Sequence, residues 1–461
     1  MKVALVTLGC DKNTVDSERY LARLSAQGAV PTSDASDAEV ILVNTCGFID
    51  AAKRESVEAL LDAARYKAEG RCRAVVALGC MVERHRAELH DALPEVDLFL
   101  GTRDVDRLIP SLIERGLLDA GPPLHPGERM LVGELPHVRY LKVSEGCDHG
   151  CAFCAIPLMR GRHRSFALGE LMREAQLLEM QGARELNLVA QDLAHYGRDR
   201  RDGTGLPELL EALVRETGIP WIRMLYLYSA GITPKLLEVV AREPRILRYL
   251  DMPIQHGSDA VLERMRRPER QRTIRERVAR YRDAVPELAI RTTCIVGFPG
   301  ETEDDVRRLL DFLEEVQFDR VGVFAYSPQD GTRAYAYADD VPDDVKRERL
   351  EAVTELQRAI TAERLERHVG GSARVVVDRV DEGQPVEARV PWQADDIDGV
   401  TYLESSEALR AGDFVAARLT TLVDDYSYGA VSVGVPERSM EPPRKIRRLP
   451  VVAETAGSFG R

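Results

Sequence analysis

The chain has 461 residues, 44% hydrophobic and 30% charged, with 63 basic against 76 acidic side chains and a net charge of −13. That length allows roughly three domains of about 150 residues. No apolar run approaches the ~18 residues of a membrane span, and the acidic balance argues against a protein that coats nucleic acid by bulk electrostatics, while leaving room for a local basic groove.

Along residues 1–117 strand and helix patterns alternate. The opening "MKVALVTLGC" is strand-like from its start, without the profile of a signal peptide, and reads as cytosolic. "KVALVTLGC", "EVILVNTCG" and "AVVALGCM" are apolar, β-branched runs of the kind buried in parallel sheets. Between them "NTVDSERYLARLSAQG" and "AAKRESVEALLDAARYKAEG" carry helical periodicity and stop at Gly28 and Gly70. The pattern predicts a small doubly wound α/β domain on three strands. A Pro- and Gly-rich linker, "LDAGPPLHPGERM", follows it.

From 133 to 365 the alternation resumes at wider spacing. "RYLKVS", "ELNLVAQ", "IRMLYLY", "RYLDMPI", "AIRTTCIVG" and "DRVGVFAY" are the candidate strands. Six strand–helix repeats predict a parallel barrel or partial barrel, with chemistry at the C-terminal strand ends. The charged helix "DDVKRERLEAVTELQRAITAERLERHVG" runs to Gly370. Residues 366–436 hold short strand patterns split by Gly, Asp and Pro, predicting a small antiparallel β-barrel. Residues 437–461 lack apolar periodicity and read as a disordered, mildly basic tail.

The eight cysteines of a cytosolic chain this long are not a disulfide scaffold, so clustered ones weigh as metal or redox ligands. In "SEGCDHGCAFCAIP", Cys147, Cys151 and Cys154 follow the first barrel strand. Structural cysteines, or a zinc knuckle recruiting His149 or His163, are the plainer readings. Zinc sites usually pair C-x2-C with a second ligand pair at a distance, and here there is one such pair. A 4Fe–4S cluster held by three thiolates, with one iron free, suits the spacing better. A second set is dispersed: Cys10, Cys46 and Cys80 end the three N-terminal strands in "TLGC", "VNTC" and "ALGC". Ligands of open α/β sheets gather beyond the carboxyl ends of the strands, so these three are expected to converge on a second three-thiolate site. Cys72 and Cys294 fit neither set and receive no role.

Weaker signals surround these cysteines. Gly297 and Gly300 in "IVGFPGETEDD" would let backbone approach a ligand, or simply make a βα turn. Gln255 and His256 end one strand, Gln191 and Asp192 another, and a lone histidine there is at least as often packed as functional. The "RHRSF" run, Arg162 to Phe166, is by default a solvated loop. No catalytic residue is assigned beyond the six clustered cysteines.

The C-x3-C-x-Φ-C loop, with Phe153, after the first strand of a six-repeat barrel resembles the radical S-adenosylmethionine enzymes. In that superfamily the open iron chelates S-adenosylmethionine, and an electron from the cluster cleaves it to methionine and a 5′-deoxyadenosyl radical. The resemblance implies that Phe153 lies near the adenine and that "IVGFPGET" forms part of the cofactor wall. Gln191 and Gln255 join Gly297 and Gly300 as implied cofactor contacts.

Residues 1–436 together resemble the methylthiotransferases, through "LGCDKNTVDSE", "NTCGFIDAAKRES", "SEGCDHGCAFCAIPLMRGRHRS", "YLDMPIQHGS" and "RTTCIVGFPGETEDD". The resemblance implies an N-terminal methylthiotransferase domain over 1–117, a radical core over 133–365 and a TRAM domain over 366–436. It implies two 4Fe–4S clusters, the auxiliary one on Cys10, Cys46 and Cys80 carrying the sulfur to be inserted. One S-adenosylmethionine then methylates that sulfur and a second yields the hydrogen-abstracting radical.

Two branches differ in substrate, a tRNA adenosine or the β-carbon of an aspartate in a small-subunit ribosomal protein (the S-twelve protein). From Glu366 to Pro436 there are 6 Lys and Arg against 13 Asp and Glu. An acidic barrel suits a basic ribosomal protein better than phosphates. "DMPIQH" and "YLYSAG" resemble the ribosomal-protein branch. "WQADDIDG" resembles its Asp-Ala-Pro-Glu-Ile-Asp-Gly, departing at Gln393, Asp395 and Asp396, and Phe166 stands where that branch often has Arg. The partners implied are a ribosomal protein or ribosome and a flavodoxin- or ferredoxin-like electron donor, with no membrane and nucleic acid secondary. A non-catalytic iron–sulfur carrier would need neither an open iron nor a third domain, and a zinc-dependent nucleic-acid binder conflicts with the charge.

Overall fold

A computed structural model describes residues 1–123 and 129–438. The N-terminal layer is a parallel sheet of β1 (Lys2–Thr7), β2 (Val30–Pro31), β3 (Val40–Thr45), β4 (Ala74–Gly79) and β5 (Leu98–Gly101), in the order β2-β1-β3-β4-β5. Its helices are α1 (Asp11–Ala26), α2 (Asp50–Glu69), α3 (Cys80–Ala92) and α4 (Leu108–Glu114). Alternation along the strands divides the core. Val3, Leu5, Val40 and Leu42 pack with α1 and α4, while Ala4, Ile41, Val43 and Val75 pack with α2 and α3. The doubly wound expectation holds, with five strands instead of three. The two additions, of 2 and 4 residues, are too short to stand out from their loops.

In the core, β6 (Val138–Lys142) leads into a ribbon of β7 (Ser144–Glu145) and β8 (Arg164–Ser165). Then come β9 (Glu185–Val189), β10 (Trp221–Met224), β11 (Ile246–Asp251), β12 (Ala289–Val296) and β13 (Arg320–Ala325). Apart from the ribbon, these six strands lie side by side in chain order, all parallel, and do not close into a ring. They form the expected partial barrel. Short α5 (Ile156–Arg160) follows the cysteine loop, and α9 (Asp259–Arg264) also stands at the mouth. Helices α6 (Leu168–Met180), α7 (Leu206–Glu216), α8 (Pro234–Arg242), α10 (Gln271–Ala284) and α11 (Glu303–Val316) seal the outer face with leucine and valine. Helix α12 (Asp343–Glu366) then leads to the third unit. The "RHRSF" run is no solvated loop: its centre is β8, and Ser165 is buried.

The third unit is a closed barrel, β14 (Ser372–Arg379), β15 (Val386–Arg389), β16 (Thr401–Glu404), β17 (Phe414–Leu422) and β18 (Tyr428–Ser432), in ring order β14-β15-β16-β18-β17. It departs from a wholly antiparallel barrel in one place, for β16 and β18 run parallel. Five strands cannot alternate direction all the way around a ring, so at least one neighbouring pair must be parallel. Of the expected tail, Glu437 pairs with Phe414 through two backbone hydrogen bonds, and Arg438 binds Asp413 at 3.0 Å. The rest, 439–461, lies outside the described residues. Among the described residues no helix is long and apolar enough to cross a membrane.

The small barrel sits at the amino-terminal ends of the core strands and plugs the core's interior. Its loop 392–399 meets a polar inner face. Arg223 donates to Glu185 at 2.7 Å and to the carbonyls of Pro391 and Gln393 at 3.0 Å each. The Tyr249 hydroxyl donates to Asp398 at 2.5 Å, and Asn187 to Asp395 at 2.8 Å. Arg291 and Arg320 stand 3.7 and 3.8 Å from Asp398. Gln393, Asp395 and Asp398 are therefore buried, and of this motif only Asp396 and Ile397 are exposed. Four of the barrel's 13 acidic residues, Asp378, Asp395, Asp398 and Asp413, are buried. The acidity counted in the sequence is partly consumed inside the protein.

Burial pushes the Asp395 carboxyl up to about 7, with Glu185 and Asp396 adding to the rise against the opposing Arg389. The folded state therefore holds this proton where the unfolded chain, near pH 4, has lost it. The contribution of Asp395 to stability falls as pH rises between those values and levels off above about 7. Asp395→Asn should flatten that dependence, raising the melting temperature relative to wild type by about 2 °C or more at pH 8 and not at pH 4. Thermal unfolding at both pH values reads the difference. Equal shifts at the two would contradict it.

Candidate active site

Strands β1, β3 and β4 end side by side, with Thr7 opposite Asn44 and Thr45 opposite Gly79. Cys10 caps α1, Cys46 follows β3 and Cys80 opens α3, so the register brings the three thiols to one edge of the sheet. The adjoining glycines allow this packing. Gly9 has φ +93°, and a Cβ there would lie 2.9 Å from the Cys46 Sγ. Gly79 has φ +96°, and a Cβ there would lie 2.4 Å from the Asn44 side-chain oxygen. A side chain at Gly9 would press on Cys46, and one at Gly79 on Asn44 and Thr45 at the end of β3. The Cys46 amide donates to the Ser56 hydroxyl at 3.0 Å, which fixes the turn.

Cys147, Cys151 and Cys154 lie on the loop beyond β7, at the C-terminal end of the core strands. The amide of Cys147 donates to Gly161 at 3.1 Å, and Ala152 bridges Met265 and the amide of Ala334. Burial pushes Cys46 and Cys147 up to about 11, and Cys80 and Cys154 up to about 12. They stay protonated near neutrality until a cation displaces the protons. Among the described residues neither trio brings its three sulfurs within 4.8 Å of one another. Three thiolates on one tetrahedral zinc would stand about 3.8 Å apart, given Zn–S bonds of about 2.3 Å. Neither trio is therefore drawn together as a single tetrahedral zinc would draw it.

Each trio has one buried arginine, and sequence reasoning missed both. Arg160, the last residue of α5, donates to Cys80 at 3.1 Å, to Asp16 at 2.6 Å and to Glu145 at 3.3 Å, and it also binds Asn13. Arg267 stands 3.7 Å from Cys151, stacks on Tyr228 at 4.1 Å and binds Glu269. Both lay in visible runs, "LMRGRHRS" and "RMRRPERQ", with nothing local to separate them from surface arginines. Tyr226, just beyond β10, reaches the helix that Cys10 caps. Its hydroxyl donates to Asp11 at 2.9 Å, and Lys12 lies 3.2 Å from its ring centroid. Its φ of +62° is strained for a tyrosine, as side chains held at functional sites often are.

The expected cofactor contacts divide. Phe153 shares an apolar cluster with Phe298 of "VGFPG", so the cysteine loop and that turn form one wall. Gln191 donates to Glu145 at 3.1 Å, and its carbonyl oxygen is buried without a partner. Gln255, at φ +74°, continues β11 beside Cys294, and its side chain makes no hydrogen bond among the described residues. Gly297 differs from the expectation: the close approach there is made by the Lys346 stem, 2.3 Å from where a Cβ would stand. Its amide donates to Glu301 at 2.9 Å, and that of Gly300 to Asp340 at 2.7 Å. His256 is fully buried, 3.4 Å from Glu301, and so braces the same turn. Cys72 and Cys294 are buried in the two cores.

Asp192 anchors a group that sequence reasoning did not assemble. His149 and His195 approach the same carboxylate oxygen at 2.7 and 2.5 Å, and the amides of Ala194 and Tyr228 donate to the other. Burial works to raise this carboxyl, but the histidine hydrogen bonds hold it well below the usual range. These three residues are the group of donor atoms within 4.8 Å of one another. His163, with only 3% of its side chain exposed, turns to Asp199 instead.

Removing the Arg160 guanidinium leaves the half-buried Asp16 and Glu145 with Lys142 as their one cationic partner among the described residues. Arg160→Met should lower stability by about 3 kcal/mol, read as a shifted urea midpoint of cluster-free protein. A change below about 0.5 kcal/mol would show that the network does not clamp the two units.

Residues 2–101 match the family described as "Uncharacterized protein family UPF0004" and residues 141–313 the "Radical SAM superfamily". The chain is 44% identical over 91% of its length to a "Ribosomal protein uS12 methylthiotransferase RimO" of Desulforudis audaxviator, covering 94% of that protein. A protein of the same description from Anaeromyxobacter sp. (strain K) is 44% identical over 96% of this chain and 95% of its own. The radical S-adenosylmethionine methyltransferase TsrM of Kitasatospora setae superposes with a TM-score of 0.50 over 71% of this chain and 76% of its own. At 14% identity that likeness shows the fold alone. A radical S-adenosylmethionine enzyme works with that cofactor and a 4Fe–4S cluster. The chain belongs to the RimO family of radical S-adenosylmethionine methylthiotransferases and is a transferase.

Proposed function

We propose that this enzyme methylthiolates the β-carbon of an aspartate in the small-subunit ribosomal protein S-twelve, using two 4Fe–4S clusters. The substrate rests on one observation, the shared description of relatives that align along nearly the whole chain. Two clusters are supported by two cysteine trios, each with a buried arginine. Units 1–117, 133–365 and 366–436 divide the work as auxiliary-cluster domain, radical core and TRAM domain. A ribosomal substrate puts the enzyme in the cytoplasm, with a flavodoxin- or ferredoxin-like protein as its source of electrons.

The residues fit the groups they would hold. Cys147, Cys151 and Cys154 would hold the cluster with an open iron, and Cys10, Cys46 and Cys80 the auxiliary one. When bound, the first supplies the electron that cleaves S-adenosylmethionine and the second carries the sulfur to be transferred. Around them the chain's own side chains bind and orient. The orphaned oxygen of Gln191 is an acceptor for an ammonium or hydroxyl of the cofactor. Phe153 and Phe298 offer an apolar face to its adenine. Arg160 and Arg267 offset the negative charge that thiolate ligation brings into a buried site. The plug of Asp395 and Asp398 closes the far end of the core, away from the mouth where a radical must be kept from water. The strand β13 is exposed at Phe324 and Ala325, leaving the open side of the barrel for a protein segment.

Anaerobic reconstitution should give about eight irons per chain. Replacing Cys10, Cys46 and Cys80 with alanine should lower this to about four and abolish methylthio insertion. Reductive release of 5′-deoxyadenosine should persist. Loss of that release with the first cluster intact would overturn the division of labour, and zinc in place of iron would overturn both sites.

Deleting the gene should remove the methylthio mass from an aspartate of ribosomal protein S-twelve, seen by mass spectrometry of ribosomal proteins. Loss from a tRNA adenosine instead would assign the enzyme to the other substrate class.

A further inference from the structure

Beside the cysteine loop, on loops following β9 and β10 and helix α9, lies a depression of about 300 Å3. Cys151 forms part of its lining, with His149, His195, Arg198, Tyr228 and Arg266 around it. Its charge is one-sided. Arg198 and Arg266 are exposed, and among the described residues neither has a carboxylate within 4.0 Å. Arg198 instead points a guanidinium nitrogen to 3.3 Å from His195. Asp192, the acid beneath them, is buried and fully taken up by the two histidines and two amides. The nearby Asp199 is turned to Ser165, and Asp202 to Arg200. Arg266 is also held at φ +57°, a strained conformation for a non-glycine residue.

We propose that this depression is the docking site of a small acidic electron-carrier protein, which reduces the cluster on Cys147, Cys151 and Cys154. The inference rests on the reading that these cysteines hold a 4Fe–4S cluster. One electron leaves the carrier's reduced flavin or iron–sulfur centre and enters the cluster, so the carrier is oxidised by one electron and the cluster reduced by one. No proton or group moves. Electron transfer fades steeply with distance, so the carrier must reach a cluster ligand from outside. Cys151 is partly exposed, and of the three cysteines on this loop it is the one that lines the depression. Unpaired arginines around such an entry steer an acidic partner and raise its association rate. The overall charge of −13 would repel that partner elsewhere on the surface, so a local cationic site is what selects the approach.

Stopped-flow absorbance can follow cluster reduction in reconstituted enzyme by reduced flavodoxin, with dithionite as the small-molecule comparison. The double variant R198E/R266E should slow reduction by flavodoxin about tenfold or more at low salt. It should also lose most of the salt dependence. Its dithionite rate and cluster midpoint potential should match wild type. A second variant, R242E/R280E, carries the same charge change on the remote groove lined by Leu237 and Ala241 and should keep the wild-type flavodoxin rate. An unchanged rate in the first variant, or an equal loss in the second, overturns the docking site. So does a slowing that dithionite shares. Absence of a cluster by iron content and EPR would overturn the underlying reading as well, which separates the two failures.

Discussion

The buried contact between Arg160 and Asp16 holds the two halves of the site in register. Arg160 ends the short helix after Cys154, and Asp16 lies on the helix that Cys10 caps. One guanidinium thus ties the radical loop to the auxiliary sheet and also donates to Cys80. Lys142 and Glu145 complete the group, so each buried charge has an opposite neighbour. Such a network adds little stability over a well-packed apolar contact, but removing one member leaves charge stranded. It therefore fixes a relative position more firmly than greasy packing would. The placing of one cysteine trio relative to the other depends on that position.

At the opposite pole the same physics serves closure. A partial barrel of six strands leaves its interior open at the amino-terminal ends, and the small barrel fills it with a loop rather than with apolar side chains. Arg291 and Arg320 of the core meet Asp398 of the barrel, and Arg389 of the barrel meets Glu185 of the core, across that junction, while the Tyr249 hydroxyl donates to Asp398. The motif "WQADDIDG" belongs mostly to this plug. Asp396 and Ile397 are its exposed residues, with Trp392 and Gly399 half-buried. Composition cannot distinguish an acid that faces solvent from one that closes a core, so the barrel's acidic count overstates its outward charge.

Much of the architecture was legible because periodicity survives in long elements. The six core strands, the two glycine stops and the five small strands all fall where residue type and period placed them. What escaped was short or directional. Strands of 2 and 4 residues leave no periodic trace, and the parallel β16–β18 pair follows from ring closure, not from either strand's composition. At the site, the cysteines announce themselves by chemistry and spacing. Arg160, Arg267 and Tyr226 do not, because their roles arise from what they touch across more than 75 residues of chain.

The sequence by itself determined the inventory: six cysteines in two sets, the strand ends that present them, and three successive units. These are local properties, readable from residue type and period. Only the tertiary structure decided which buried charges join those units, that the close approach at Gly297 is made by Lys346, and that a histidine–aspartate group with unpaired arginines flanks Cys151. Those arrangements depend on contacts between distant segments, where desolvation makes each charge select its partner, and no window of sequence contains both.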